Sequence, residues 1–216
     1  MKKVFVTGAS SGIGEALAIA YSKKKYIIGL TARRIELLEK IAKRCTDLGG
    51  KTFIYKLDVN NQIDCKNVAQ KFLKEANGID IVIANAGIGG DDGLFSENSN
   101  KINAILNTNI LGVTNSIMPF IPILKKQFSG TLVCISSVAS FMPLPLHGGY
   151  SGSKIAVRMI FDSWRPTLNR YKIRVITICP GFIDTAMVKG PARRLPLKSV
   201  DNAAESFLKI ISKGNK

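Results

Sequence analysis

The chain has 216 residues, of which 46% are hydrophobic and 21% charged; this is ordinary globular usage and excludes a disordered, collagen-like or coiled-coil protein. The length suits one well-buried core, so residues 1–216 are read as one domain. Lys and Arg number 31 against 15 Asp and Glu, a net charge of +16, which favours anionic over neutral partners; the basic residues are scattered without interleaved aromatics, so no nucleic-acid partner is expected.

No apolar run reaches the roughly eighteen residues that cross a bilayer. The start, MKKVFVTGASSG, has two lysines but too few apolar residues before Thr7 and Gly8 for the core of a signal peptide. A cytoplasmic protein without membrane contact is the expectation. Cys45, Cys65, Cys134 and Cys179 are far apart, with no CxxC and one histidine in the chain, so neither a disulfide framework nor a metal site is indicated. Buried free thiols are expected.

The first predicted element is the strand KVFVT at 3–7. TGASSGIG follows at 7–14, where Gly8, Gly12 and Gly14 allow a tight turn, a close backbone approach to a ligand and close packing of the next helix. Amides of Ser10, Ser11, Gly12 and Ile13, at that helix's start, could hold a pyrophosphate. Further Val- and Ile-rich runs are YIIGLT (26–31), TFIYKL (52–57), IDIVIANA (79–86), GTLVCIS (130–136) and IRVITICP (173–180). Each is strand-length and nearly continuous in its hydrophobicity, as expected of strands covered on both faces. Amphipathic stretches such as IELLEKIAKRCTDLG and IDCKNVAQKFLKEANG lie between them, each closed by glycine. Residues 98–127 read as a long helix broken at its end by Pro119 and Pro122, and Pro166 should disturb a helix beginning near Tyr150. The alternation predicts an α/β fold: a doubly wound, Rossmann-like parallel sheet with helices on both faces.

YSGSK at 150–154 would put Tyr150 and Lys154 one above the other on a helix face. An ammonium beside a phenol favours the phenolate by charge, which a proton-transfer role requires. Ser151, Gly152 and Ser153 between them are small and leave that face open to a cofactor.

From Met1 to about Thr185 the chain resembles the short-chain dehydrogenase/reductase family. The resemblance is carried by TGxxxGxG at 7–14, Asp58–Val59, NAG at 85–87, TNILG around Asn109, Ser137, YxxxK at 150–154 and PGxxxT at 180–185. It implies hydride exchange between a nicotinamide cofactor and a small-molecule carbonyl or alcohol. Tyr150 would be the general acid/base, Lys154 its partner, Ser137 the donor to the substrate oxygen and Asn109 the holder of a water linked to the lysine. Asp58 and Val59 would flank the adenine, Asn85, Ala86 and Gly87 the ribose and backbone, and Pro180, Gly181 and Thr185 the nicotinamide side. Ser136 competes with Ser137, and the family spacing favours Ser137. His147 reads as a loop residue or pocket wall.

Enzymes using the unphosphorylated cofactor carry a carboxylate about 20 residues beyond the glycine turn. LTARR puts Ala32 there, followed by Arg33, whose fork suits a 2′-phosphate; NADP(H) is the expected cofactor. The alternative is that Arg33 and Arg34 are a solvated helix start. Lys189, Arg193, Arg194 and Lys198 fall in the segment that the family uses as a lid over substrate, and apolar residues around 141–146, with Phe182 and Met187, favour a partly apolar pocket. The sheet is expected to lack the family's last strand, and a homodimer through 98–127 and 150–170 is expected. The competing classes are a catalytically inactive nucleotide-binding regulatory or scaffold protein and a nucleic-acid binder.

Overall fold

The computed structural model describes residues 1–96, 98–188 and 196–213. Six strands, β1 (Lys3–Thr7), β2 (Ile27–Ala32), β3 (Lys51–Lys56), β4 (Ile81–Ala84), β5 (Gly130–Ile135) and β6 (Ile173–Ile178), form one sheet in the order β3-β2-β1-β4-β5-β6. All pairings are parallel. The period-2 alternation of a strand divides each between two cores. Val4 and Val6 enter one cluster with Leu17, Leu38 and Phe207, while Phe5 enters the other with Phe72, Phe120 and Phe161. Phe5 sits at the centre of the second, its ring 5.3 Å from Phe72 and 4.9 Å from Phe120.

Helices α1 (Gly12–Ser22), α2 (Ile35–Asp47) and α8 (Val200–Ser212) cover the first face. The second is covered by α3 (Gln62–Ala76), by the helical run Asn100–Gln127 and by α7 (Gly148–Asn169). That run comprises α4 (Asn100–Leu106), a π turn (Asn107–Leu111), α5 (Gly112–Ile117), a 3₁₀ turn (Met118–Phe120) and α6 (Ile121–Gln127). The run has 28 residues, and with an 18-residue window of mean hydropathy 1.2 it is by length and composition long and apolar enough to cross a membrane, although no unbroken apolar run occurs in it. In this fold it packs inward through Ile105, Val113, Ile117, Phe120 and Leu124.

The prolines act more gently than expected. Pro119 and Pro122 fall in first-turn positions of the 3₁₀ turn and of α6, where no N–H is needed, so the helical path continues to Gln127. Pro166 lies inside α7, which runs on to Asn169. At the end of α3 Asn77 takes the left-handed cap position (φ 54°), and Gly78 after it also has a positive φ, 110°.

Candidate active site

The strand order reverses between β1 and β4, the point at which open parallel sheets bind ligands beyond the strand ends. Thr7, at the end of β1, organises it: its Oγ1 accepts the N–H groups of Asn85 (3.1 Å) and Ala86 (3.2 Å). Asn85 Nδ2 in turn donates to the carbonyls of Thr7 (2.9 Å) and Gly8 (3.2 Å). The glycine turn and the NAG loop are thereby locked together.

The glycines are required by this closeness. Gly8 and Gly12 have φ of 67° and 58°, in the left-handed region. A Cβ on Gly8 would lie 2.7 Å from Ala86 Cα, and one on Gly14 would lie 2.3 Å from the Gly8 carbonyl. Ser11 makes no side-chain cap bond to α1, so the first amides of that helix, with its dipole, suit a pyrophosphate. Arg33 is exposed just past β2. Its neighbour Arg34 crosses to the turn, where Nη2 donates to Ser10 Oγ (3.1 Å) and Ser11 Oγ (3.2 Å); this junction of β2 with the turn was missed in the sequence.

Asp58 Oδ1 accepts the Asn60 N–H at 3.0 Å, and Val59 is buried beneath Gly112, where a Cβ would meet Val59 Cγ2 at 2.6 Å. On the other side, a Cβ on Gly12 would approach Thr185 Cγ2 to 3.2 Å, and the Pro180 carbonyl accepts the Val138 N–H at 2.9 Å. The segment holding Pro180, Gly181 and Thr185 thus returns to the same mouth. Lys189, Arg193 and Arg194 lie outside the described residues; Lys198 Nζ donates to Ser206 Oγ at 3.0 Å.

Tyr150 and Lys154 occupy successive turns of α7. Lys154 is 5% exposed; its Nζ donates to the Ile135 carbonyl at 2.9 Å and lies 5.6 Å from the centre of the Tyr150 ring. A Cβ on Gly87 would be 3.7 Å from that Nζ and 3.1 Å from Asn109 Oδ1, so the NAG loop, Asn109 and Lys154 converge. Asn109 is fully buried in the π turn. Its Oδ1 accepts the Ile88 N–H (2.8 Å), and its Nδ2 donates to the Ile88 carbonyl (2.9 Å) and to Ser153 Oγ (3.0 Å). Ser153 Oγ donates to the Tyr150 carbonyl at 2.7 Å.

The small residues of YSGSK therefore do more than leave space. Only around Gly152 is there open room; Ser153 is a buried link, and Ser151 Oγ accepts the Leu144 N–H at 3.1 Å. The two competing serines also separate: Ser136 is buried with its Oγ donating to the Lys154 carbonyl (2.9 Å), whereas Ser137 is half-buried with its Oγ accepting the Ala139 N–H (3.1 Å). Beneath them Cys134 is fully buried, and burial pushes its thiol up to about 12; nearby Cys179 adds to the rise and Lys154 opposes it. No group of three or more metal-ligating side chains exists among the described residues.

Comparison with known proteins identifies the family. The family model described as short chain dehydrogenase matches residues 2–194. The 3-oxoacyl-(acyl-carrier-protein) reductase FabG of Thermotoga maritima is 31% identical over 202 residues, covering 94% of this chain and 80% of that protein. The 11-beta-hydroxysteroid dehydrogenase-like 3 protein of Arabidopsis thaliana is 33% identical over 223 residues, covering 99% and 71%. Among solved structures, an alcohol dehydrogenase from the archaeon Thermococcus sibiricus, complexed with 5-hydroxy-NADP, superposes with a TM-score of 0.90 at 29% identity, covering 99% of this chain and 92% of that one. With the model matched across most of its length and a glycine turn, NAG loop and Tyr–Lys pair gathered at one sheet end, the chain belongs to the short-chain dehydrogenase family of nicotinamide-dependent oxidoreductases.

Proposed function

We propose that this protein is an NADP(H)-dependent oxidoreductase that interconverts a carbonyl and an alcohol, with Tyr150 as general acid/base. The observation that carries the reading is Lys154 Nζ, anchored on the Ile135 carbonyl and 5.6 Å from the Tyr150 ring, at the end of the sheet where the strand order reverses. The Tyr150 hydroxyl gives a proton to the substrate oxygen in reduction and takes it back in oxidation, while the Lys154 charge stabilises the phenolate. Ser137 Oγ accepts the Ala139 N–H, which leaves its own O–H to be donated to that oxygen. Ser136 is committed to the helix backbone. Asn109, through Ser153, holds the Tyr150 backbone in place.

A bound nicotinamide supplies or receives the hydride. The glycine turn and the start of α1 would hold its pyrophosphate, Asp58 and Val59 its adenine, and the NAG loop with Pro180, Gly181 and Thr185 the remainder. The preference for NADP(H) rests on Arg34, whose guanidinium bridges the hydroxyls of Ser10 and Ser11, with Arg33 exposed beside it; together they make a cationic, donor-rich corner suited to a 2′-phosphate.

Exposed apolar side chains lie on the segments that follow β4, β5 and β6: Leu94 and Phe95, then Phe141, Met142 and Leu146, then Met187. Met187 reaches inward, to 3.4 Å from where a Gly89 Cβ would stand, and the Tyr150 ring is 3.8 Å from the same point. The substrate is therefore proposed to be a largely apolar carbonyl compound. Leu111, Met118, Ile155 and Met159 are exposed on the run 100–127 and on α7, and this apolar pair of helices is the proposed homodimer surface.

The test is a panel of apolar ketones and aldehydes with NADPH. Tyr150→Phe should lower turnover by about a hundredfold or more while NADPH still binds by fluorescence. Turnover equal to that of the parent would overturn the assignment.

A further inference from the structure

We propose that Asp92 is a positioning residue, a helix cap supplied from 57 positions away that fixes the first turn of α7, and Tyr150 with it, against the loop at the substrate mouth. The proposal rests on the role given to Tyr150 above. The first N–H groups of a helix have no partner within it, and the residue before the helix commonly supplies one from its side chain. His147 stands in that position in α7 and makes no such bond; its Nδ1 lies 2.8 Å from the Pro145 carbonyl, two residues back. The missing acceptor is Asp92 Oδ1, which receives the Gly149 N–H at 2.9 Å. A carboxylate there is doubly suited: the bond is charge-assisted and the helix dipole favours an anion.

Two glycines make room for it. A Cβ on Gly148 would lie 3.0 Å from Asp92 Oδ2, and one on Gly149 would lie 3.0 Å from Oδ1 and 2.6 Å from Ile102 Cγ1. The next residue is Tyr150, so displacement of this turn passes directly to the phenol. Asp92 also grips the loop before the helix, since its backbone N–H donates to the Leu146 carbonyl at 2.9 Å. Leu146 has φ of 61°, a left-handed conformation costly for leucine and held there by this bond. From the other side, Leu144 N–H donates to Ser151 Oγ. The preceding residue, Asp91, faces Lys101 Nζ at 3.3 Å, and its Oδ1 accepts the Gly93 N–H at 2.9 Å across the turn that carries Asp92. One half-buried carboxylate thus joins the loop after β4, the apolar loop of the mouth and the catalytic helix.

The experiment compares Asp92→Asn, which keeps a carbonyl acceptor in place, with Asp92→Ala, which removes it. Three readouts are taken: kcat and KM with an apolar ketone, NADPH affinity by fluorescence, and hydrogen exchange at the Gly149 amide. Asp92→Ala should lower kcat by about tenfold to a hundredfold, the scale of a misplaced catalytic group. It should leave NADPH affinity within about threefold and expose the Gly149 amide to exchange; Asp92→Asn should restore amide protection and most of kcat. Unchanged amide exchange in Asp92→Ala would overturn the cap, and this readout holds even if the parent reduces no ketone, a result that would sink the proposed reaction instead. Parental kcat in Asp92→Ala would overturn the positioning role. Should Asp92→Ala fail to fold, a folded Asp92→Asn with kcat lowered to the range expected for Asp92→Ala would overturn it as well.

Discussion

Asn109 has every polar group of its side chain paired inside the protein, two of them to Ile88 and the third to Ser153. Such a residue is hard to replace, because a buried amide that loses a partner carries a desolvation penalty of about 1–3 kcal/mol. Ser153→Ala is expected to destabilise the fold by about that amount in urea titration and to lower kcat, since the same hydroxyl holds the Tyr150 carbonyl. Arg34 offers a cleaner functional test, being exposed with its guanidinium bound to Ser10 and Ser11. Arg34→Ala should weaken NADPH binding by about ten- to a hundredfold, the worth of a charge-assisted hydrogen bond, and leave NADH binding nearly unchanged. Equal losses for the two cofactors would remove Arg34 from phosphate recognition.

At the scale of elements, Pro166 is out of place: it sits within α7, three residues before the helix ends at Asn169, and is solvent-exposed. Proline in a helix interior costs about 3 kcal/mol and returns up to about 1 by restricting the unfolded chain. Pro166→Ala should therefore raise unfolding free energy by about 2 kcal/mol, read as a higher urea midpoint with unchanged slope. The strands were legible because runs covered on both faces are apolar throughout. Their ends were less so: IDIVIANA reads as extended to residue 86, but β4 stops at Ala84 because the next two N–H groups turn to Thr7 Oγ1. Tyr150 and Lys154 could be read as a pair because helical spacing relates them directly. Arg34 and Ser153 could not, since their partners lie 24 and 44 positions away and only the fold brings them near. Asp92 was hidden for the same reason.

The whole molecule holds protons that its unfolded chain would release in alkali. Burial, with help from Asp64 and Asp58, raises the Cys65 thiol from 9.0 to about 12, and Cys134 rises as far. Burial also raises Cys45, Tyr21 and Tyr55, the last further through its hydrogen bond to Glu75. A folded-state value above the unfolded one gives stability that is complete below pH 9 and is lost as pH climbs through the raised values. Tm should hold between pH 7 and 8.5 and fall steadily from about 9 towards 12; a Tm independent of alkali would contradict this. The order β3-β2-β1-β4-β5-β6 has one more consequence. A cut in the connection between β4 and the helical run leaves the nucleotide cradle on one piece and Tyr150 with Lys154 on the other, joined along the β4–β5 seam. Neither piece could turn over substrate by itself, and recovery of activity on mixing would make the pair a split reporter, a readout of complementation between separately expressed fragments.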